Sequence, residues 1–155
     1  VIECARVEST MRALERMHDE IREMMVGRPT CWTLYHADLR TKHIQVDSEG
    51  HALGYMDWGA SEDAFLPYVD VLHMVAHQRS QETGGWPGDT WTAVRDKTGL
   101  REHEHAAMDD YCERVNLDAD MRRACEIMYP VFVAGMAERN WDYSRPRWIH
   151  RQFGV

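Results

Sequence analysis

Met11, Leu14, Met17, Ile21 and Met24 recur every three or four residues, the spacing of one helix face. The pattern predicts a long helix from Glu3 to Met25, ended by Gly27-Arg28-Pro29. Cys31-Trp32-Thr33-Leu34-Tyr35 is short, aromatic and branched, and reads as a strand. Ile44–Val46 and Ala52–Met56 flank Asp47-Ser48-Glu49-Gly50, which is turn chemistry for a β-hairpin. After Asp57 the pattern is irregular through Pro67. Val71, Leu72, Val75 and Ala76 then mark a buried helix over Val69–Gln78. Gly84-Gly85-Trp86-Pro87-Gly88-Asp89 reads as a loop or insertion site. A short helix follows from Trp91 to Lys97, ending at Gly99. Two more cover Glu102–Val115 and Asp118–Arg139, the second with Asp118 as N-cap and with Pro130 expected to kink or split it. The tail from Trp141 to Val155 is aromatic and basic, without a period. The expected fold is α+β, a mainly helical body carrying a small antiparallel hairpin.

Composition narrows the class. A chain of 155 residues suits one domain, and 44% hydrophobic with 28% charged residues is the balance of a soluble globular protein. The formal net charge of −8 argues against nucleic-acid binding and mildly favours cationic partners. No apolar run approaches the roughly 18 residues of a membrane span. The start, Val1-Ile2-Glu3-Cys4, lacks Met and the regions of a signal peptide, so the expectation is a cytoplasmic piece of a longer protein. Cys4, Cys31, Cys112 and Cys125 form no metal or disulfide spacing and are expected to be reduced thiols. Ten Met and six Trp read as core filler in preference to a binding groove.

The chemistry concentrates in two places. His36-Ala37-Asp38-Leu39-Arg40-Thr41-Lys42-His43 follows a strand directly, and Asp57-Trp58-Gly59 ends the hairpin. Asp38 is either a turn residue capping local amides or a base that orients a hydroxyl and takes its proton. His36 suits a structural hydrogen bond that holds the loop. Asp57 is either a strand-end cap or a cation ligand. A hairpin returns the chain to where it left, which pairs the two carboxylates and strengthens the functional reading of each. One carboxylate for proton work and one for a cation is what phosphoryl transfer from a metal-bound nucleotide requires.

His36-Ala37-Asp38-Leu39, then Ile44-Gln45-Val46-Asp47, then Gly54-Tyr55-Met56-Asp57-Trp58, resemble the signature of the aminoglycoside phosphotransferase and choline kinase superfamily. Pro67-Tyr68-Val69-Asp70-Val71 resembles that family's downstream Pro-x-x-Asp element. The matches span about His36 to Leu72. The resemblance implies the C-terminal lobe of a protein kinase-like fold, phosphorylating a hydroxyl of an aminoglycoside, sugar or choline-like metabolite with ATP and Mg2+. It implies Asp38 as catalytic base, Asp57 as a metal ligand at the nucleotide phosphates, and Asp70 as acceptor for the catalytic loop's amides. Arg40 would stabilise charge near the transferred phosphate, or else be a solvated loop residue.

Two departures stand out. The family's second metal ligand, Asn, is His43 here; Mg2+ prefers oxygen donors, so His43 is expected to hold a softer metal ion or to hydrogen-bond Asp38 instead. No Gly-rich phosphate loop and no strand Lys precede the first helix, so residues 1–155 are expected to be one lobe, joined to a nucleotide-binding N-terminal lobe of the same protein. The alternatives are a non-catalytic kinase-like module and a metal-dependent hydrolase built from His36, Asp38, His43, Asp57 and His73 or His77. Taken alone, His73 and His77 at i, i+4 read as packed histidines in preference to a metal pair. Glu102-His103-Glu104-His105 reads as a solvated helix start. Trp141, Tyr143 and Trp148 read as packing before a cation–π wall, and Glu62, Asp63, Asp109 and Asp110 as ordinary surface acids before an attractor for an amine.

Overall fold

The computed structural model describes residues 8–139, apart from Trp86 and Lys97. Among the described residues are five α-helices and four strands: α1 (Glu8–Met25), β1 (Thr33–Tyr35), β2 (Ile44–Val46), β3 (Ala52–Tyr55), β4 (Glu62–Phe65), α2 (Val69–Thr83), α3 (Pro87–Arg95), α4 (Glu102–Arg114) and α5 (Ala119–Arg139). The class is α+β. The helix expected from Glu3 is described from Glu8, and its apolar stripe is half-buried against α5. The aromatic tail beyond Trp141 lies outside the described residues.

The hairpin forms as its turn chemistry predicts. Asp47 accepts the amides of Glu49 and His51, both at 2.9 Å, and Gly50 supplies the positive φ of 89° that closes the turn. Strand β2 then pairs antiparallel with β3, Ile44 opposite Tyr55 and Gln45 opposite Gly54. The stretch after Asp57 is not irregular throughout. Glu62–Phe65 forms β4, which pairs antiparallel with β1 and sets Thr33 opposite Phe65. Its acidic start hides the strand from a hydrophobicity pattern, and its partner lies about thirty positions upstream. Stacking of Tyr35 on Phe65, with ring centroids 4.3 Å apart, ties the pair to the core.

Helix α2 supplies that core with Val69, Leu72, Val75 and Ala76, which meet Met108 and Cys112 of α4 and Cys125, Tyr129 and Val133 of α5. It runs five residues past the expected end at Gln78, to Thr83, and stops at Gly84 in the left-handed region. The expected loop at Gly84–Asp89 is correspondingly short. Pro87 opens α3 because its missing N–H costs nothing in a first turn, and Asp89 lies in that turn where acids are favoured. The expected solvated start of α4 is half wrong. Glu104 is buried, accepting the Arg101 amide at 2.7 Å and an Arg79 guanidinium N–H at 2.7 Å.

Asp118 caps α5 as expected, its carboxylate accepting the Met121 amide at 2.8 Å. Pro130 does not split the helix, which continues to Arg139. Proline removes the N–H that would bond the carbonyl four residues back, Glu126. The Trp91 indole N–H takes that carbonyl instead, at 2.6 Å. Trp91→Phe should therefore strand a buried acceptor and cost about 1–3 kcal/mol, read as a lower urea midpoint. In a Pro130→Ala background, where an amide N–H returns, the same change should cost clearly less. An equal cost in both backgrounds would reject this account.

Candidate functional site

The loop from His36 to His43 sits between β1 and β2 and is held from three sides. From α2, Asp70 accepts the His36 amide at 2.7 Å and the Ala37 amide at 3.1 Å. From the end of β3, the Met56 carbonyl accepts the His36 Nε2–H at 2.8 Å. Within the loop, the His43 Nδ1–H donates to the Asp38 carbonyl at 2.8 Å, and the Met56 amide donates to the His43 carbonyl at 2.8 Å. Ala37 and Asp57 both take positive φ, 70° and 66°, uncommon for residues other than glycine. Strain of this kind persists where surrounding contacts over-determine the backbone, and here it flanks both candidate acids.

The two carboxylates converge. Asp38, His43 and Asp57 each offer a ligand atom within 4.8 Å of the other two. With its Nδ1–H on the Asp38 carbonyl, the His43 ring turns its Nε2 toward Asp57 Oδ2, 3.5 Å away. The Asp57 carboxylate and the His43 imidazole, with Asp38 close by, fit a divalent ion, and the nitrogen suits Mn2+ better than Mg2+. Asp57 is solvent-exposed, its side chain 68% accessible, whereas His43 is buried.

Asp38 is engaged by residues that local sequence did not assign to it. His73 Nε2–H donates to its Oδ1 at 3.2 Å, and an Arg40 guanidinium N–H donates to its Oδ2. Burial opposes ionisation of this carboxyl, but the hydrogen bonds from His73 and Arg40 outweigh it and hold the group well below the ordinary carboxylate range. Arg40 is thus not a solvated loop arginine; it is part-buried on Asp38, and its Nε has no hydrogen-bond partner among the described residues. His73 Nδ1 in turn lies 3.1 Å from the hydroxyl of buried Tyr129 on α5. One signal for His73 was available: it lies three residues after Asp70 on the same helix, so it faces the same loop. Nothing local pointed to Tyr129.

Asp70 is pushed up by burial, against the two loop amides that favour its ionised form. His36 is buried, and its Nδ1 has no hydrogen-bond partner among the described residues. Asp109 and Asp110 are occupied by Arg122 and Arg114 on the α4–α5 side. His77, one turn beyond His73, is half-buried with ring centroids 4.7 Å apart.

Burial, with help from neighbouring His73 and Arg40, holds His77 down to about 4 against an ordinary 6.5. Between those values the unfolded chain binds a proton that folded His77 does not, so stability falls as the pH drops through the window. His77→Gln should flatten the fall of the urea midpoint between pH 6.5 and 4. An unchanged slope would show that His77 titrates normally.

No known protein family, no curated protein and no solved structure matches the chain.

Proposed function

We propose that the chain is the catalytic and acceptor-binding lobe of an ATP-dependent small-molecule phosphotransferase. Its acceptor would be a hydroxyl of an aminoglycoside, sugar or choline-like metabolite. The observation that supports this most is the convergence of Asp38 and Asp57 around His43, on a loop whose amides are tied to Asp70. Asp57 and His43 would hold the divalent cation, which neutralises charge on the nucleotide phosphates.

The remaining work falls to side chains of the loop. Asp38 orients the attacking hydroxyl and receives its proton, a role that requires geometry first and basicity second. With both His73 and Arg40 bonded to it, the carboxylate is a weak base. An incoming phosphate competes for the Arg40 guanidinium, which binds phosphate as readily as carboxylate. Release of Arg40 to the phosphate raises the basicity of Asp38 and places a cation where charge develops. Asp70 keeps the loop in this strained geometry before substrate arrives, so little ordering remains for the bound state.

A nucleotide-clamping lobe with a Gly-rich loop and a strand Lys would complete the site. The hairpin leaves Val46, Leu53, Tyr55 and Met56 exposed, and a two-stranded hairpin is marginal by itself. A second lobe packed over it would cover that apolar surface.

The test is phosphate transfer from ATP to a panel of aminoglycosides, sugars and amino alcohols by the full-length protein, followed by product mass. Mn2+ should support faster turnover than Mg2+, and His43→Asn should shift the preference toward Mg2+. ATP binding without transfer to any hydroxyl compound, with either ion, would leave the binding-module alternative standing and reject this one.

A further inference from the structure

A second group of ligand atoms lies on the other side of Asp38. His73 and His77 project from one face of α2, one turn apart, with ring centroids 4.7 Å apart. Asp38 Oδ1 is 3.2 Å from His73 Nε2. One ligand atom from each of Asp38, His73 and His77 lies within 4.8 Å of the other two. We propose that these three side chains form a binding site for a transition metal of the Zn2+ type, distinct from the cation position assigned to Asp57 and His43.

The geometry needs little change. Tetrahedral bonds of about 2.0–2.1 Å place neighbouring ligand atoms roughly 3.3 Å apart. The Asp38–His73 pair already has that separation, and the widest pair has to close by about 1.5 Å at most, within reach of a small rotation at half-buried His77. His77 makes no hydrogen bond to another described residue, so metal binding there breaks no such bond within the protein. Two imidazoles and one carboxylate, with a fourth position open to solvent, are the ligand count of an open zinc site. The chemistry disfavours Mg2+, which seeks oxygen.

The second partner of His73 supports the same reading. A ligating imidazole is commonly oriented through its other nitrogen. Here the Tyr129 hydroxyl stands 3.1 Å from His73 Nδ1, buried and fixed by α5. Without metal, the ring proton sits on Nε2 and points at Asp38, while the hydroxyl donates to Nδ1. With metal on Nε2, the ring proton sits on Nδ1 and the phenolic oxygen accepts it, since a hydroxyl serves either way. No net proton is lost in this tautomer change.

An ion held there occupies Asp38 Oδ1 and takes the carboxylate away from an acceptor hydroxyl. Zn2+ would then inhibit phosphate transfer; that consequence rests on the proposed function, whereas the site itself does not. The experiment is therefore a binding one. The full-length protein is titrated with Zn2+ by calorimetry and with Co2+ by visible absorption, whose intensity reports tetrahedral coordination. One ion per Asp38–His73–His77 site with micromolar affinity is expected. His77→Ala and His77→Gln should each weaken it by at least about 10-fold, with unchanged circular dichroism, and Asp57→Asn should leave it in place. Three results would overturn the site: affinity weaker than millimolar, affinity indifferent to both His77 variants, or loss in Asp57→Asn alone. Binding that survives all these checks in a protein with no transferase activity would retain the metal site and discard only its inhibitory role.

Discussion

Asp38→Asn should lower turnover in phosphate transfer by about 100- to 10,000-fold, the range a positioned general base supplies. The substitution keeps the shape of the side chain and one oxygen for the hydrogen bond from His73, so the loop should stay folded. What it removes is the proton acceptor and the negative charge that holds Arg40. Affinity for the nucleotide should change little, because the cation is assigned to Asp57 and His43. The fall therefore belongs in kcat, with KM for ATP near its original value. Steady-state kinetics on the full-length protein decides it. Turnover like the wild type would remove Asp38 from the mechanism and the proposed function with it.

Asp70→Ala should produce the largest loss of stability of any change at the site. The His36 and Ala37 amides belong to buried residues, and both point at this one carboxylate. Each stranded buried donor costs about 1–3 kcal/mol, so the pair costs about 2–6 kcal/mol. That is a large share of the about 5–15 kcal/mol that holds a domain together. At this chain length the melting midpoint should fall by roughly 10 °C. Asp70→Asn retains one acceptor oxygen and should lose about half as much. Amide hydrogen exchange gives the site-specific check: protection at His36 and Ala37 should drop in Asp70→Ala before protection elsewhere in α2. A normal melt with normal protection would show that the loop is held by His36 and His43 without help from α2.

Local rules made much of the frame legible. Met11, Leu14, Met17, Ile21 and Met24 mark α1 because a helix repeats its face every 3.6 residues, and all five are half-buried. Asp47-Ser48-Glu49-Gly50 marks the hairpin because an acidic turn residue and a positive-φ glycine satisfy the backbone within four positions. Asp118 marks the start of α5 by the same local logic. Each of these signals is complete within one turn of chain. Where the deciding contact came from far away, the signal failed. Strand β4 exists because β1 is beside it. Helix α5 continues past Pro130, and Trp91, 35 residues before Glu126, donates to the carbonyl that the proline orphans. Glu104 is buried because Arg79 meets it from α2.

The site divides along the same line. Sequence alone determined that a short loop and the end of a hairpin each carry an acid, and that the hairpin turns the chain back on itself. Only tertiary structure decided the chemical state of Asp38. Packing of α2 and α5 puts His73 and Tyr129 behind Asp38, and Arg40 folds onto the same carboxylate. Together these hold that acid ionised and occupied. Turn type and periodicity are set by neighbours within four residues, whereas burial and charge at a point in space are set by whatever the fold brings there. That is why the pair of acids could be read from the chain, while the bonds that His73 and Arg40 make to Asp38, with Tyr129 behind His73, were set by the packing of the fold.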